Sequence, residues 1–339
     1  MKNIIVTGGL GFIGSNLVRE LCKTYHVIII DKHTYSANIE NLENINKKKF
    51  TIFKIDICEQ NKVYNLLKKF TPIAIFNLAA ETHVDRSIDK PVDFINSNII
   101  GTYSILEALK KYYKIKKNIK LIHISTDEVY GDIKQNNFSK ETDPYKPSSP
   151  YAASKASSDH LVYSYYRTFK LPVLVTNCSN NYGPRQFPEK LIPKLIINCL
   201  RNQDLPIYGN GKNEREWIHV KDHVSALIKI LKKGSFGEFY NIGSEEILNN
   251  LNITKLILKI IKQNFKIKTK SKIVFVEDRP GHDVRYALNS TKLKKEIKWK
   301  KKFFIYNGLK DTVSWYLKNL NWIKKIDKKK YNFRIGLNK

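Results

Sequence analysis

Two adjacent carboxylates, Asp127 and Glu128, follow two hydroxyls in the stretch Ser125-Thr126-Asp127-Glu128-Val129-Tyr130-Gly131. The apolar run before them, Leu121-Ile122-His123-Ile124, reads as a buried strand. In open α/β sheets, ligands bind just beyond the carboxyl ends of the strands. Two carboxylates there can divide the labour, one holding a proton to donate and one ionised to accept. By itself the heptapeptide also reads as an ordinary strand-to-loop junction, where Ser, Thr and Asp are common turn formers. Geometry adds a condition. Neighbours in a strand point to opposite faces, so Asp127 and Glu128 reach one substrate only if the strand ends by about Thr126.

A second pair stands at Tyr151 and Lys155, four residues apart and hence on one helix face. Ser149 is a good N-cap and Pro150 suits the first helical turn. An ammonium beside a phenol favours the phenolate, which makes Tyr151 a candidate base for an alcohol proton with Lys155 as its helper.

These groups need a scaffold, and the first half of the chain supplies the pattern for one. Residues 3 to 7 read as a strand, followed by Gly8, Gly11 and Gly14, with Phe12 and Ile13 opening a helix whose apolar face is Ile13, Leu17, Val18 and Leu21. Glycines are needed where the backbone turns tightly, approaches a pyrophosphate, and packs helix on strand. The phosphates of a dinucleotide would sit on the free N–H groups and positive dipole of that helix start. A second strand, Val27 to Ile30, ends in Asp31-Lys32, where an acid accepts from a ribose hydroxyl and repels a 2′-phosphate, favouring NAD. Phe50 to Ile55 is a strand ending in Asp56-Ile57, a candidate adenine neighbour. Val63 to Phe70 is a helix, and Ile73 to Leu78 is a strand ending in Ala79-Ala80-Glu81-Thr82, small enough for close approach of a cofactor. Val92 to Lys111 is a long amphipathic helix. The alternation predicts an α/β fold with a doubly wound parallel sheet.

The remaining totals exclude more than they assign. At 339 residues the chain has room for about two domains. No apolar run approaches the roughly 20 residues that span a bilayer, and no signal peptide opens the chain, so a cytoplasmic protein with no membrane partner is expected. Cys22, Cys58, Cys178 and Cys199 show neither disulfide nor metal spacing, and are expected to be reduced. No histidine pair stands with an acid ligand, so no metal is expected; His83 reads as a structural histidine. The charge of +29 raises a nucleic-acid partner. The lysines are scattered, however, and no nucleic-acid motif accompanies them, so no such partner is expected.

The glycine motif, Asp31, Ser125–Gly131 and Tyr151-x-x-x-Lys155, in that order, resemble the extended short-chain dehydrogenase/reductase family. Within it, Thr126-Asp127-Glu128 resembles the nucleotide-sugar 4,6-dehydratases, where epimerases of the same fold carry a hydrophobic or small pair. Four further stretches are similar to the dehydratases that act on dTDP-glucose: Asn77–Ser87, Asn177–Pro184, Phe187–Pro193 and Asp278–Asp283. The resemblance runs from residue 1 to about 322. It implies a Rossmann domain over 1–177 with a returning segment near 217–243, a sugar-nucleotide domain over 178–323, and a homodimer; residues 324–339 read as a basic, mobile tail. It implies NAD held by the glycine motif, Asp31, Lys32, Thr34, Asp56, Ile57, Leu78, Ala79, Ala80, Thr82, Ser97, Tyr151, Lys155 and Asn181. It implies catalysis by Thr126, Asp127, Glu128, Tyr151 and Lys155. A nucleotide-sugar substrate, dTDP-glucose, would meet Thr82, Thr126, Asn180, Lys190 and Leu191, with Pro206, Ile207 and Tyr208 at the base. Arg215, Asn250, Asp278, Arg279 and His282 would serve the diphosphate and its surroundings. UDP-glucose as substrate, or 4-epimerisation, stand as alternatives.

In the second half, Glu238 to Gly243 reads as a strand rejoining the first sheet. Leu251 to Ile261 is a helix, Ile273 to Val276 a strand, and Gly308 to Leu320 a final helix.

Overall fold

The computed structural model describes residues 1–326. The chain runs β1 (Asn3–Thr7), α1 (Phe12–Leu21), β2 (His26–Asp31), β3 (Phe50–Lys54), α2 (Gln60–Phe70), β4 (Ala74–Asn77), α3 (Val84–Asp89), α4 (Pro91–Phe94), α5 (Gly101–Tyr113), β5 (Lys120–Thr126) and α6 (Pro150–Phe169). It continues through β6 (Val173–Cys178), β7 (Asn180–Tyr182), α7 (Leu191–Leu200), β8 (Leu205–Tyr208), β9 (Glu214–His219), α8 (Val220–Lys233) and β10 (Phe239–Ile242). It closes with β11 (Ile247–Asn249), α9 (Asn250–Asn264), β12 (Ile273–Val276), α10 (Ile305–Lys318) and α11 (Leu320–Lys325).

Seven strands form one sheet in the order β10-β6-β5-β4-β1-β2-β3, every pair parallel. The strands are apolar at successive positions because both faces are covered. Ile4, Val6, Ile29, Phe76 and Ile122 face one side, with Leu17 and Val18 of α1 and Leu227 and Ile230 of α8. Ile5, Ile28, Ile30, Ile75 and Leu121 face the other, with Leu66 of α2, Leu106 of α5 and Val162 of α6. The strand order reverses between β1 and β4, and the crevice at that point takes the ligand in such sheets.

A third core joins α7, α9, α10 and α11 beside two small sheets, β11-β9-β7 and β12-β8. The chain crosses back to the first sheet through α8 and β10; Trp217–His219 pair within β9 of the small sheet, and Ile218 already packs into the first core. It crosses once more than the sequence suggested: Leu293, Ile297 and Trp299 pack into the first core.

Three expectations change. The long helix expected from Val92 is α4 and α5 joined by a π-helical turn, Ile95–Ile100. That wider turn carries buried Ser97 and Asn98 on the inner side. The helix expected over Gly308–Leu320 breaks at Asn319, and α11 follows. The tail expected over Lys324–Lys339 does not start at Lys324, since α11 runs to Lys325 and Ile326 is buried in the third core; residues 327–339 lie outside the described residues. Among the described residues no helix is long and apolar enough to cross a membrane.

Candidate active site

The glycine loop follows β1 at the sheet's switch point. Gly8 sits at φ +66°, and a Cβ there would lie 2.9 Å from the Ala79 backbone, so only glycine fits. A Cβ on Gly14 would lie 2.1 Å from the Gly8 carbonyl oxygen, which is how closely α1 rides over the loop. Gly11 is the N-cap of α1 and gives its first turn no side-chain partner. Those N–H groups and the helix dipole are therefore left for an anion. Asp31 ends β2, where its carboxylate accepts from the N–H groups of Leu10 at 3.0 Å and His33 at 2.9 Å. Burial raises its pKa and those two amides oppose the rise.

A cavity of about 290 Å³ opens here. Gly8, Gly11, Phe12, Ile13, Gly14, Asp31, Lys32 and Thr34 line it, with Ile57, Leu78, Ala79, Ala80, Thr82, Ser97, Tyr151, Lys155 and Asn181. The glycine cradle, the uncapped helix start and the acid at the end of β2 fit a dinucleotide. Asp56 departs from the expectation. It does not line the cavity; it accepts from the Cys58 N–H at 3.0 Å and faces Lys32 at 3.6 Å, so it holds the turn and the lysine.

At the far end β5 stops at Thr126 and a 3₁₀ turn, Asp127–Tyr130, takes over. The Thr126 hydroxyl accepts from the Glu128 N–H at 3.3 Å, and Gly131 at φ +71° lets the chain leave. The strand thus ends where a two-carboxylate site requires, and both Asp127 and Glu128 line the cavity. Their surroundings differ. Asp127 is 3 % exposed, its Oδ2 has no partner, and its pKa is raised well above the ordinary value by burial, then by Glu128 and Glu216. Glu128 is raised by burial too, but Arg279, Arg215 and Lys190 pull it back. Burial without a partner favours the protonated form of Asp127, and the facing cations favour an ionised Glu128.

The Ser149 hydroxyl accepts from the Ala152 N–H at 3.1 Å, capping α6. Its first turn brings Tyr151 beside Thr126, whose hydroxyl lowers the phenol. Burial, and after it Glu128, nonetheless hold Tyr151 well above its usual range. Lys155 lines the same cavity as Tyr151, and its ammonium donates to the Ile124 carbonyl at 2.9 Å, with His123 Nε2 at 3.4 Å. The shared helix face places it behind the phenol, but β5 takes its hydrogen bond.

A second cavity, about 180 Å³, adjoins the first. Asn180, Lys190, Leu191, Pro206, Ile207, Tyr208, Arg215, Asn250, Arg279 and His282 line it, and Glu128, Asn180, Lys190, Glu189 and Trp217 line both. Asp278 lies outside the lining; it accepts from His282 Nδ1 at 2.6 Å and so orients that ring. His83 lines this cavity, buried, with its pKa pushed down to about 3 by burial and then Lys190. Among the described residues no group of three or more His, Cys, Asp and Glu is placed to hold a metal.

Sequence reasoning did not assign Asp85, Glu189, Lys194 and Tyr286, which also line the second cavity. Asp85 accepts from the Tyr208 hydroxyl at 2.6 Å and faces Arg279 at 3.3 Å. Asp85 and Glu189 stand inside two of the family-like stretches, which was the available signal; Tyr286 carried none.

A parallel sheet with the glycine cradle at its switch point, and a Tyr-x-x-x-Lys helix across from paired carboxylates, defines the extended short-chain dehydrogenase/reductase class. Within it the chain belongs to the family described as GDP-mannose 4,6 dehydratase, which matches residues 5–312. A relative from Salmonella typhimurium, a dTDP-glucose 4,6-dehydratase, is 44% identical over 99% of this chain and 98% of its own. The crystal structure of the dTDP-glucose 4,6-dehydratase from Bacillus anthracis, in complex with NAD, is 42% identical with a TM-score of 0.87, covering 96% of this chain and 100% of its own. That of the Streptomyces venezuelae dTDP-glucose 4,6-dehydratase, with NAD and a further ligand bound, is 37% identical with a TM-score of 0.89, over 96% and 100%.

Proposed function

We propose that the chain converts dTDP-glucose to dTDP-4-keto-6-deoxyglucose, with NAD as a cofactor that is regenerated in each turnover. The observation that carries this is the end of β5 at Thr126, which delivers two adjacent carboxylates of unlike environment to one cavity. A 4-epimerase needs neither a C5 base nor a C6 acid.

When bound along Gly8–Gly14 and Asp31, NAD⁺ supplies the hydride acceptor for C4, the donor for C6, and a positive charge that favours the Tyr151 phenolate. Tyr151 takes the proton of the sugar 4-hydroxyl, and Thr126 hydrogen-bonds the same oxygen. The 4-ketone so formed acidifies the C5 proton. Glu128 removes that proton as base. Asp127, protonated, gives its proton to the departing 6-hydroxyl, so that water leaves. Glu128 then returns a proton to C5. Each such transfer contributes roughly 10² to 10⁴-fold. Arg215 and Arg279 offer guanidinium forks to the diphosphate, and Pro206, Ile207 and Tyr208 lie where the base end would sit.

Two finer statements belong to the same proposal. The enzyme acts as a homodimer, supported by Val92, Ile95, Ile100 and Tyr103, which stand exposed along α4 to α5; sedimentation at the monomer mass across concentrations refutes it. It works in the cytoplasm, supported by four cysteines that stand as free thiols; localisation by fractionation tests that.

The deciding experiment is incubation of the purified protein with dTDP-glucose and catalytic NAD⁺. Loss of one water by mass, with the alkaline absorbance of the 4-keto-6-deoxy product, is expected. A mass-neutral change to the galactose form assigns an epimerase instead. Parallel incubation with UDP-glucose measures nucleotide preference, since one methyl is worth roughly 1 to 3 kcal/mol in a pocket.

A further inference from the structure

Behind Tyr151 and Lys155 lies a chain of buried polar groups that the proposed chemistry does not use. Tyr151, Lys155 and Asp159 are spaced by four along α6, so they share one face. Asp159 is 0% exposed and His123, from β5, is 1% exposed. His123 Nε2 lies 3.4 Å from the Lys155 ammonium and 3.4 Å from Asp159 Oδ1. One imidazole nitrogen therefore stands equally close to the buried cation and the buried carboxylate.

The protons in this chain follow by counting. The Thr7 hydroxyl oxygen accepts from the N–H groups of Leu78 and Ala79, each at 3.1 Å. Its own proton goes to Asn77 Oδ1 at 2.7 Å. Asn77 then presents its amide N–H to His123 Nδ1 at 3.0 Å. A neutral ring that accepts at Nδ1 carries its proton on Nε2, which lies 3.4 Å from Asp159 Oδ1, an oxygen left without a hydrogen-bond partner. Burial keeps the ring neutral, pushing its pKa down to about 4. Asp159 Oδ2 accepts from the hydroxyls of Ser125 at 2.6 Å and Tyr145 at 3.1 Å, and from the Asn177 amide at 3.4 Å. Three donors on one oxygen is the behaviour of an ionised carboxylate, and Lys155 is the one cation in this chain of contacts.

We infer that Asp159 is the counter-charge of Lys155 and His123 the neutral spacer between them, so that this dyad keeps the ammonium charged and fixed behind Tyr151 while the 4-hydroxyl is oxidised. Both are positioning residues. The inference rests on the proposed reaction for its consequence, but not for its geometry. The groups facing Lys155 are consistent with it. Burial pulls the ammonium down, and Asp159 first, then Cys178 from β6, push it up. Tyr151 on its own helix, and Asp127 and Glu128 past the end of β5, line the same cavity. Asp159 is faced by His123 and by Tyr145 and Tyr130.

The test has two parts. In Asp159→Asn, Lys155 loses its counter-charge and deprotonates at lower pH. The alkaline limb of single-turnover NADH formation from dTDP-glucose is then expected to move down by about one pH unit or more, with KM changed less than about two-fold. A folded variant whose alkaline limb coincides with that of the parent overturns the inference. The second part needs neither turnover nor the variant's stability. Nitrogen NMR of the holoenzyme, with the His123 signal assigned by its loss in His123→Gln, is expected to show the neutral Nε2–H form from about pH 5 to about pH 9. A protonated or Nδ1–H ring in that range overturns it as well. Should the parent fail to act on dTDP-glucose, the proposed function fails while the NMR still decides the dyad.

Discussion

The two cavities are built in different ways. The dinucleotide cavity takes its walls from consecutive strand ends of one parallel sheet: Gly8 after β1, Asp31 after β2, Ala79 after β4 and Thr126 after β5. Those groups are each fixed by the strand before them, and Tyr151 and Lys155 of α6 and residues 178–190 complete the lining. The second cavity gathers His83, Lys190, Tyr208, Arg215, Asn250, Arg279 and Tyr286 from separate helices, two small sheets and loops. There, side chains hold one another, as Asp85 holds Tyr208 and Arg279. The first design suits a cofactor that stays. The second suits a substrate that enters, binds mainly through charge, and leaves.

The largest test falls on the wall the cavities share. Glu128→Gln is expected to keep C4 oxidation and to lose elimination by roughly 10² to 10⁴-fold. Stopped-flow absorbance would show NADH accumulating without dehydration, and unimpaired dehydration would refute the assignment of the base. Next comes Arg215→Ala in the second cavity, which removes a cation that is 5% exposed. Its loss is expected to raise KM for the sugar nucleotide by roughly 30-fold or more, about 2 kcal/mol upward, with NAD affinity unchanged by calorimetry. A fall in NAD affinity would dissolve the division of labour between the cavities.

Glu216, fully buried beside Asp127, gives a test of comparable size through pH. Burial lifts its pKa to about 7 although the N–H groups of Glu245 and Leu288 oppose that. Its folded pKa lies above its unfolded one, so its contribution to stability is full below the unfolded value. That contribution is lost as pH rises through about 7. Thermal denaturation is expected to show a decline for the parent between about pH 4.5 and 7 that is absent in Glu216→Gln. Parallel pH profiles would place that decline elsewhere. The smallest effect is expected from Tyr208→Phe, which deprives Asp85 of one hydrogen bond. About 1 kcal/mol, a several-fold rise in KM, is the expected cost, and an unchanged KM would mean that Asp85 needs no help in holding the base end.

The contrast between cavities also explains what could be read in advance. The glycine spacing, the acid ending β2 and the Tyr-x-x-x-Lys helix are short-range patterns, each forced by backbone sterics or helix period. The paired carboxylates were visible too, but their usefulness hung on one turn of chain. Whether β5 would stop at Thr126 is a matter of tertiary packing, since residues 127–130 join the sheet's end rather than its edge. Asp56 stands at the end of its strand as expected, but its contacts to Lys32 and to the Cys58 N–H come from the fold and not from any spacing. Asp85 and Glu189 stood in family-like stretches, but their roles come from Tyr208, Arg279 and burial, which no spacing predicts.

By itself, the sequence determined the parallel sheet, the glycine cradle and which polar groups come to the first cavity, because local patterns of period, turn and charge suffice for these. Only the tertiary structure decided their states. The Tyr151 phenol and Asp127 are pushed above their usual ranges while cations restrain Glu128, and the Lys155 ammonium donates to the Ile124 carbonyl beside His123. Those outcomes depend on burial and on charges brought from distant segments, and the energy of a buried charge is set by its neighbours in space.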